Sequence, residues 1–355
     1  LHLSIRRQRQ MCIRDSCSCQ HVATQVQESS AQKNNISSAA YEMADSQDEI
    51  LAILLRTMQN NETTAYFCVP SEEFIDADLW INRLNGIEQI HCEYREITDG
   101  INVSVSLAYW DNYSIVYAYQ TGDTSGLTDQ QLELFTAYST ILNEYTSPAA
   151  SNYENELAIH NYLVSNTDYV ENDDSIYNAY DTLINHSGVC SGYAECFKTF
   201  MDMLEIPCQA ISGTANDELH IWNLVQLDDN WYHVDVTWDD PVGNDADNIE
   251  YSYFNITDKE IAVDHTWNAD IYPAANATSY SYIKMSNMPQ IFTQSDANQL
   301  FANCVLNHMG KIEFVAYTDF DIKNALNGAI AQNLTYSYRI CERPDYTIYK
   351  FTFQY

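Results

Sequence analysis

The sequence predicts an α+β chain in three structured parts: a central core, in which a cysteine-led helix precedes a strand hairpin, flanked by two small α/β domains. Three observations carry that expectation. At 355 residues the chain exceeds one ordinary small domain. Its 46% apolar content is enough to fill real cores. Apolar positions also switch between helical spacing and strict alternation in separate blocks, as successive helices and half-buried strands require.

Residues 1–45 read as lying outside the fold. Four of the 16 bases (Arg6, Arg7, Arg9 and Arg14) fall in the first sixteen positions of an otherwise acidic chain. Met11-Cys12-Ile13-Arg14-Asp15-Ser16 resembles a translated sequencing-adapter remnant, so residues 1–16 are set aside. Cys17-Ser18-Cys19-Gln20 and a Ser/Gln/Asn/Ala-rich run to Asp45 follow. That run reads either as a lipidated cysteine on a polar tether or as a disordered tail with incidental cysteines. A lipobox ahead of the cysteines is missing. The expected location is extracellular or at a bacterial cell envelope, with a lipid anchor at Cys17 or Cys19.

Residues 46–148 read as the first α/β domain. SQDEILAILLRTMQN (46–60) has apolar spacings of three and four, which predict an amphipathic helix. TAYFCV (64–69) predicts a strand, and a polar helix is expected over 71–85. IHCEYREI, NVSVSLAYW and YSIVYAYQ alternate apolar and polar side chains and predict three strands. LTDQQLELFTAYSTILNEY (127–145) predicts a second helix, with Thr128 and Gln131 as a capping box.

Residues 149–275 hold the chemistry. NELAIHNYLVSNTDYV (155–170) has helical spacing. In HSGVCSGYAECFKTFMDMLEIPCQAISG (186–213), Tyr193, Ala194, Phe197, Phe200, Met201 and Leu204 share a helical face that Ile206-Pro207 ends. Cys190 therefore falls at the helix's first turn, between Gly188 and Gly192. Backbone N–H groups and the positive dipole end there favour a thiolate and can hold an oxyanion. The glycines leave room for a substrate at the backbone. Cys196, roughly 240° further round the helix, and Cys208 in the next strand read as packing.

LHIWNLVQLDDNWYHVDVTWDDP (219–241) predicts two strands around an Asp228-Asp229-Asn230 turn. His220 opens the first strand and Asp235 lies towards the end of the second. A thiol, an imidazole and an acid to orient it make up a nucleophilic triad. A turn centred on Asp229 would set His220 opposite Trp238 or Asp239, leaving Asp235 about 10 Å away at about 3.3 Å per residue. A bulge or strong twist would have to close that gap, and Asp239 and Asp240 are the alternatives. His233 is expected at the surface. His265 is expected to be structural or to line the cleft, and Trp222 and Trp238 to wall the site or pack the core.

GVCSGYAECF, HIWN and WYHVDVTWDDP together resemble the core signature of the bacterial transglutaminase-like superfamily. The helix AIHNYLVSNTDYV and the later YFNIT and DHTW also resemble it, over residues 150–270. The family's usual HAWN is HIWN here. The resemblance implies an α+β fold with a transglutaminase-like, papain-like cysteine protease core. It puts Cys190, His220 and Asp235 in the catalytic positions. Gly192, Trp222, Asn223, Trp238 and His265 are the candidate substrate or oxyanion residues around them.

Residues 276–355 read as the second α/β domain. A helix is expected from Ser295 to His308, a strand at KIEFVAYT (311–318) and a helix at DIKNALNGAI (321–330). LTYSYRI and YTIYKFTFQ close it as a strand pair. The order helix, strand, helix, strands occurs at both ends of the chain and suggests an internal repeat.

Charge and cysteine spacing narrow the function. Fifty acids against 16 bases give a net charge of −34, which disfavours nucleic acid and anionic lipid surfaces. The ten cysteines include no CxxC pair, so neither a zinc ribbon nor a thioredoxin-type redox site is expected. No EF-hand spacing occurs, and no metal or other cofactor is expected. The expected function is cysteine-dependent acyl transfer on amide bonds of a protein or peptide, including cell-wall peptide, by hydrolysis or cross-linking. The alternative is a non-catalytic surface adaptor that keeps the fold.

Overall fold

The computed structural model describes residues 27–28, 41–60, 62–84, 87–109, 111–170, 178–240, 249–327 and 334–355. They divide after Thr140 into two compact units. Residues 1–26, with the adapter-like stretch and the candidate lipid cysteines, lie outside the described residues.

The first unit contains β1 (Gln27–Glu28), β2 (Glu42–Met43), α1 (Gln47–Gln59), β3 (Thr64–Val69), α2 (Ala77–Arg83), β4 (Ile87–Ile97), β5 (Gly100–Tyr109) and α3 (Asp111–Thr121). The boundary falls within α4 (Asp129–Tyr145). The sheet runs β1-β4-β5-β3-β2. Alternation in β5 buries Ile101, Val103, Val105 and Leu107 in one core with Ile50 and Leu54 of α1, Phe67 and Trp80. Thr128 and Gln131 form the predicted capping box at α4.

Three expectations change here. YSIVYAYQ is helical: Ile115 and Ala118, three apart, are its buried positions, and Tyr113 donates to Met58 O at 2.8 Å. β-branched and aromatic residues favour strands only weakly, and packing against neighbours overrides them. The polar helix expected at 71–85 is a 3-10 turn at Glu72–Phe74 followed by α2. The stretch before residue 46 is not all tether, because β2 pairs with β3 and Ala44 is buried.

The second unit begins with α5 (Asn152–Asn166), β6 (Asp168–Tyr169), α6 (Ala179–Ile184), β7 (Ser187–Gly188) and α7 (Cys190–Met203). A sheet follows from β8 (Cys208–Ala215), β9 (Glu218–Leu227), β10 (Asn230–Val234), β11 (Phe254–Ile256) and β12 (His265–Trp267), in the order β11-β10-β9-β8-β12. The short helices α8 (Val236–Asp239) and α9 (Asp258–Ile261) interrupt it. After α10 (Tyr282–Met285) come β13 (Gln290–Ile291), α11 (Gln294–Leu306), β14 (Lys311–Ala316), α12 (Ile322–Asn327), β15 (Thr335–Glu342) and β16 (Thr347–Gln354). The end of the helix predicted over 321–330 lies outside the described residues.

The two ends of the chain share one topology. Each runs strand, helix, strand, helix, hairpin, and the C-terminal sheet has the order β13-β14-β16-β15 against β2-β3-β5-β4 in the first unit. Directions match as well. β2 and β13 run parallel to β3 and β14, and the remaining pairs are antiparallel. The N-terminal sheet adds β1 beside β4.

Candidate active site

Cys190 opens α7, and the helix's N-cap, Val189, provides no side-chain cap. The thiol is thus at the end where the helix dipole stabilises negative charge. Cys190 is 4% exposed. The flanking glycines have a packing reason: a Cβ at Gly188 or Gly192 would overlap Thr182 Oγ1 of α6. The space that the sequence suggests for substrate at Gly192 is therefore filled by α6.

β9 and β10 meet in a two-residue turn, Asp228-Asp229, with φ of 46° and 63°. Both residues are left-handed, as a type I′ hairpin requires, and Asn230 already pairs with Leu227. This register corrects the count made from a turn centred on Asp229. Val234 pairs with Asn223 and β10 ends there, so Asp235 comes level with Trp222, on the same alternation as His220. A diagonal neighbour on one face is within side-chain reach, and no bulge between β9 and β10 is needed. His220 Nε2 and Asp235 Oδ2 are 2.7 Å apart. Asp235 also caps α8, its Oδ1 accepting from Trp238 N at 3.1 Å.

The alternative acids are engaged elsewhere. Asp239 pairs with buried His160 at 3.1 Å, and burial pushes its carboxyl up to about 6 against that partner. Asp240 accepts from Tyr193 OH at 2.5 Å, and burial pushes it up to about 7. The Tyr193–Asp240 bond fastens the first turn of α7, where Cys190 sits, to the residue ending α8, the turn that Asp235 caps.

His265 is the residue whose part the sequence left most open. It is buried, with Nε2 at 3.0 Å from the same Asp235 Oδ2 and Nδ1 at 2.6 Å from Asp264 Oδ1. A carboxylate only accepts, so both ring nitrogens must carry protons while both acids are ionised. Burial opposes that charge, but hydrogen bonds and charge from Asp235 and Asp264 prevail and raise the His265 pKa. Burial likewise opposes ionisation of Asp235, yet His220 and then His265 hold its carboxyl well below the usual range. Trp238 meets His265 edge-on with ring centroids 4.5 Å apart, and Trp222 stacks on His220 at 6.0 Å.

One expectation is corrected here. His233 is fully buried, not at the surface: Trp222 Nε1 donates to its Nδ1 at 2.9 Å, and its Nε2 is 2.8 Å from Asp258 Oδ1. β10 lies between β9 and β11, so both of its edges are paired, and its last three residues, Tyr232, His233 and Val234, are buried on either alternation. Asn223 points away from His220 on the alternation of β9, and its Nδ2 donates to Ala194 O in α7 at 3.1 Å. It ties β9 to α7, the helix that Cys190 opens.

Among the described residues, the group able to offer ligand atoms to one metal ion is His220, Asp235 and His265, within 4.8 Å of one another. Those atoms already lie 2.7 and 3.0 Å apart in hydrogen bonds to one oxygen. An ion would have to displace the bonds that orient His220.

The family model of the transglutaminase-like superfamily matches residues 139–236, which run from α4 past Asp235. No curated protein matches the chain. Among solved structures, a proposed cysteine protease from Cytophaga hutchinsonii is similar with a TM-score of 0.27 and 16% identity, over 42% of this chain and 62% of that one. A TGase is similar with a TM-score of 0.27 and 14% identity, over 56% and 60%. Calcium-bound LapG of Legionella pneumophila is similar at 0.26 and 12%, over 48% and 98%. This chain thus spans about three fifths of the length of the first two. The chain carries a transglutaminase-like superfamily domain, and the site described above falls in and just beyond it.

Proposed function

We propose that the chain is a cysteine-dependent acyl-transfer enzyme acting on amide bonds of a peptide or protein, with Cys190 as nucleophile, His220 as base and Asp235 as orienting acid. The 2.7 Å bond between His220 Nε2 and Asp235 Oδ2 carries this reading. It fixes one ring nitrogen on an acid and leaves Nδ1 as the nitrogen that takes the thiol proton. Family membership of residues 139–236 supports the same assignment.

In the proposed cycle, Cys190 Sγ attacks the amide carbon as its proton passes to His220. The tetrahedral oxyanion is held by backbone N–H groups at the start of α7. It collapses to a thioester, and the leaving amine takes the proton from His220. Water, activated by the neutral imidazole, then releases a carboxylic acid and the free thiol; an amine acceptor would instead release a new amide. Hydrolysis is the first expectation, because water is the acceptor always at hand. The envelope location and cell-wall peptide as substrate are part of the same proposal.

The low exposure of Cys190 favours a second reading, a binding module without turnover. Incubation with a glutamine-containing peptide, with and without a primary amine, separates the two by mass spectrometry. The enzyme reading expects a thioester on Cys190 and a product that is an acid or a cross-linked amide. If Cys190→Ala converts the peptide as fast as the parent protein, the enzyme reading is lost.

A further inference from the structure

Arg343 lies in the turn between β15 and β16, far along the chain from the candidate triad, yet it reaches the triad's support. It is 7% exposed, in a protein with only 16 bases. Its Nη2 donates to Ser252 O at 2.7 Å, its guanidinium lies 4.3 Å from the Tyr253 ring centroid, and Nη1 faces Asp264 Oδ2 at 3.7 Å. A buried cation so placed is costly unless a partner holds it, and Asp264 is the acid set against it.

Two routes run from this clamp to Asp235. Along the backbone, Arg343 holds Ser252, and the next residue, Tyr253, accepts from Asp235 N through its carbonyl at 3.0 Å. Through side chains, Tyr253 OH donates to Asp264 Oδ2 at 2.6 Å, Asp264 Oδ1 meets His265 Nδ1, and His265 Nε2 meets Asp235 Oδ2 beside His220. Basic and acidic groups alternate along this line: Arg343, Asp264, His265, Asp235, His220.

We propose that Arg343 is a positioning residue for the candidate triad: the C-terminal sheet uses its charge, through Asp264 and His265, to hold Asp235 against His220. This rests on the triad reading above. His265 is otherwise faced by the Trp222, Trp238 and Tyr253 rings, and His233 lies nearby. Cys341 and Tyr346 are the other titratable groups acting on Arg343, and Tyr346 OH bonds Glu260 Oε1. The C-terminal repeat is thereby part of the site's wiring and not an independent appendage.

The test is the pH profile of Cys190 alkylation by iodoacetamide in the full chain, for the parent, Arg343→Gln, Arg343→Lys and Lys259→Ala. Gln keeps a polar donor but removes the positive charge beside Asp264, so the thiolate forms at higher pH. The acid limb should move up by about one pH unit, roughly a tenfold loss of rate on the limb. Arg343→Lys should restore the limb. Lys259→Ala, which breaks the exposed Lys259–Asp345 pair, should leave it in place. A Gln profile that superimposes on the parent, or equal shifts for Gln and Lys, would overturn the proposal. A parent profile with no acid limb dependent on His220 would instead sink the triad reading. Should Arg343→Gln fail to fold, ring-nitrogen NMR of the parent decides, with His265 identified by its contacts to the Trp222 and Trp238 rings. His265 is expected to stay imidazolium at a pH where a free histidine has lost its proton, and a neutral ring there overturns the relay.

Discussion

His220 and His265 converge on one oxygen, Asp235 Oδ2, at 2.7 and 3.0 Å. One acid therefore serves two imidazoles, and the second is locked between carboxylates. The site is a line of alternating acidic and basic groups and not an isolated triad.

Removing that shared charge should separate chemistry from simple packing. Asp235→Asn keeps the size of the side chain and an acceptor for the α8 cap but no longer neutralises either ring. Cys190 reactivity should fall a hundredfold or more, on the order of other triads that lose the acid. The buried His265 loses a counter-charge, so stability should drop by about 3–5 kcal/mol in urea unfolding. An unchanged alkylation rate would show that Asp235 is only structural.

Asn223 distinguishes a tether from an oxyanion ligand. As a tether to Ala194 O, its replacement by Ala should cost about 1–3 kcal/mol of stability, because a buried carbonyl loses its donor. The cost should appear as a lower urea midpoint with the slope unchanged. If stability held while thioester formation slowed, the side chain would act on substrate after all.

Gly192 should tolerate no side chain. Gly192→Ala drives a Cβ into Thr182 Oγ1, with Asn178 O also close, and overpacking of this kind costs about 1–3 kcal/mol. Thr182→Ala in the same chain should recover part of the loss by emptying the overlapping position. Equal unfolding midpoints for Gly192→Ala and the parent would refute the packing assignment.

Stability should fall as pH rises, through Glu156. It is fully buried, with Oε2 accepting from Asn255 Nδ2 at 3.0 Å, and burial pushes its carboxyl from 4.5 up to about 8. The folded state therefore holds a proton that the unfolded state has released. Its stabilisation is complete below about pH 4.5 and is lost as pH rises through about 8, at up to about 1.4 kcal/mol per pH unit. Glu156→Gln should flatten this decline in thermal unfolding scans between those limits. A decline equally steep in the variant would place its origin elsewhere.

Much of the centre was legible in the sequence because its signals are local. Helical spacing from Tyr193 onwards and the Gly-Cys-Gly neighbourhood located α7, and paired aspartates between alternating runs located the β9–β10 hairpin. The register was misjudged by one residue, since both Asp228 and Asp229 occupy the turn; a single-residue slip exchanges the faces of a strand. The burial of His233 was missed because alternation assigns a face but does not say what covers it. Arg343 was beyond reach, as nothing local ties residue 343 to 264. α3 misled because its tyrosines and β-branched residues suit either structure.

The most direct measurement is the rate at which Cys190 reacts with iodoacetamide as pH is varied, in the parent and in His220→Ala. The account predicts a thiol at least about tenfold faster than a free cysteine at pH 6, with that advantage lost in the variant. A Cys190 no faster than a free thiol, and indifferent to His220, would contradict it.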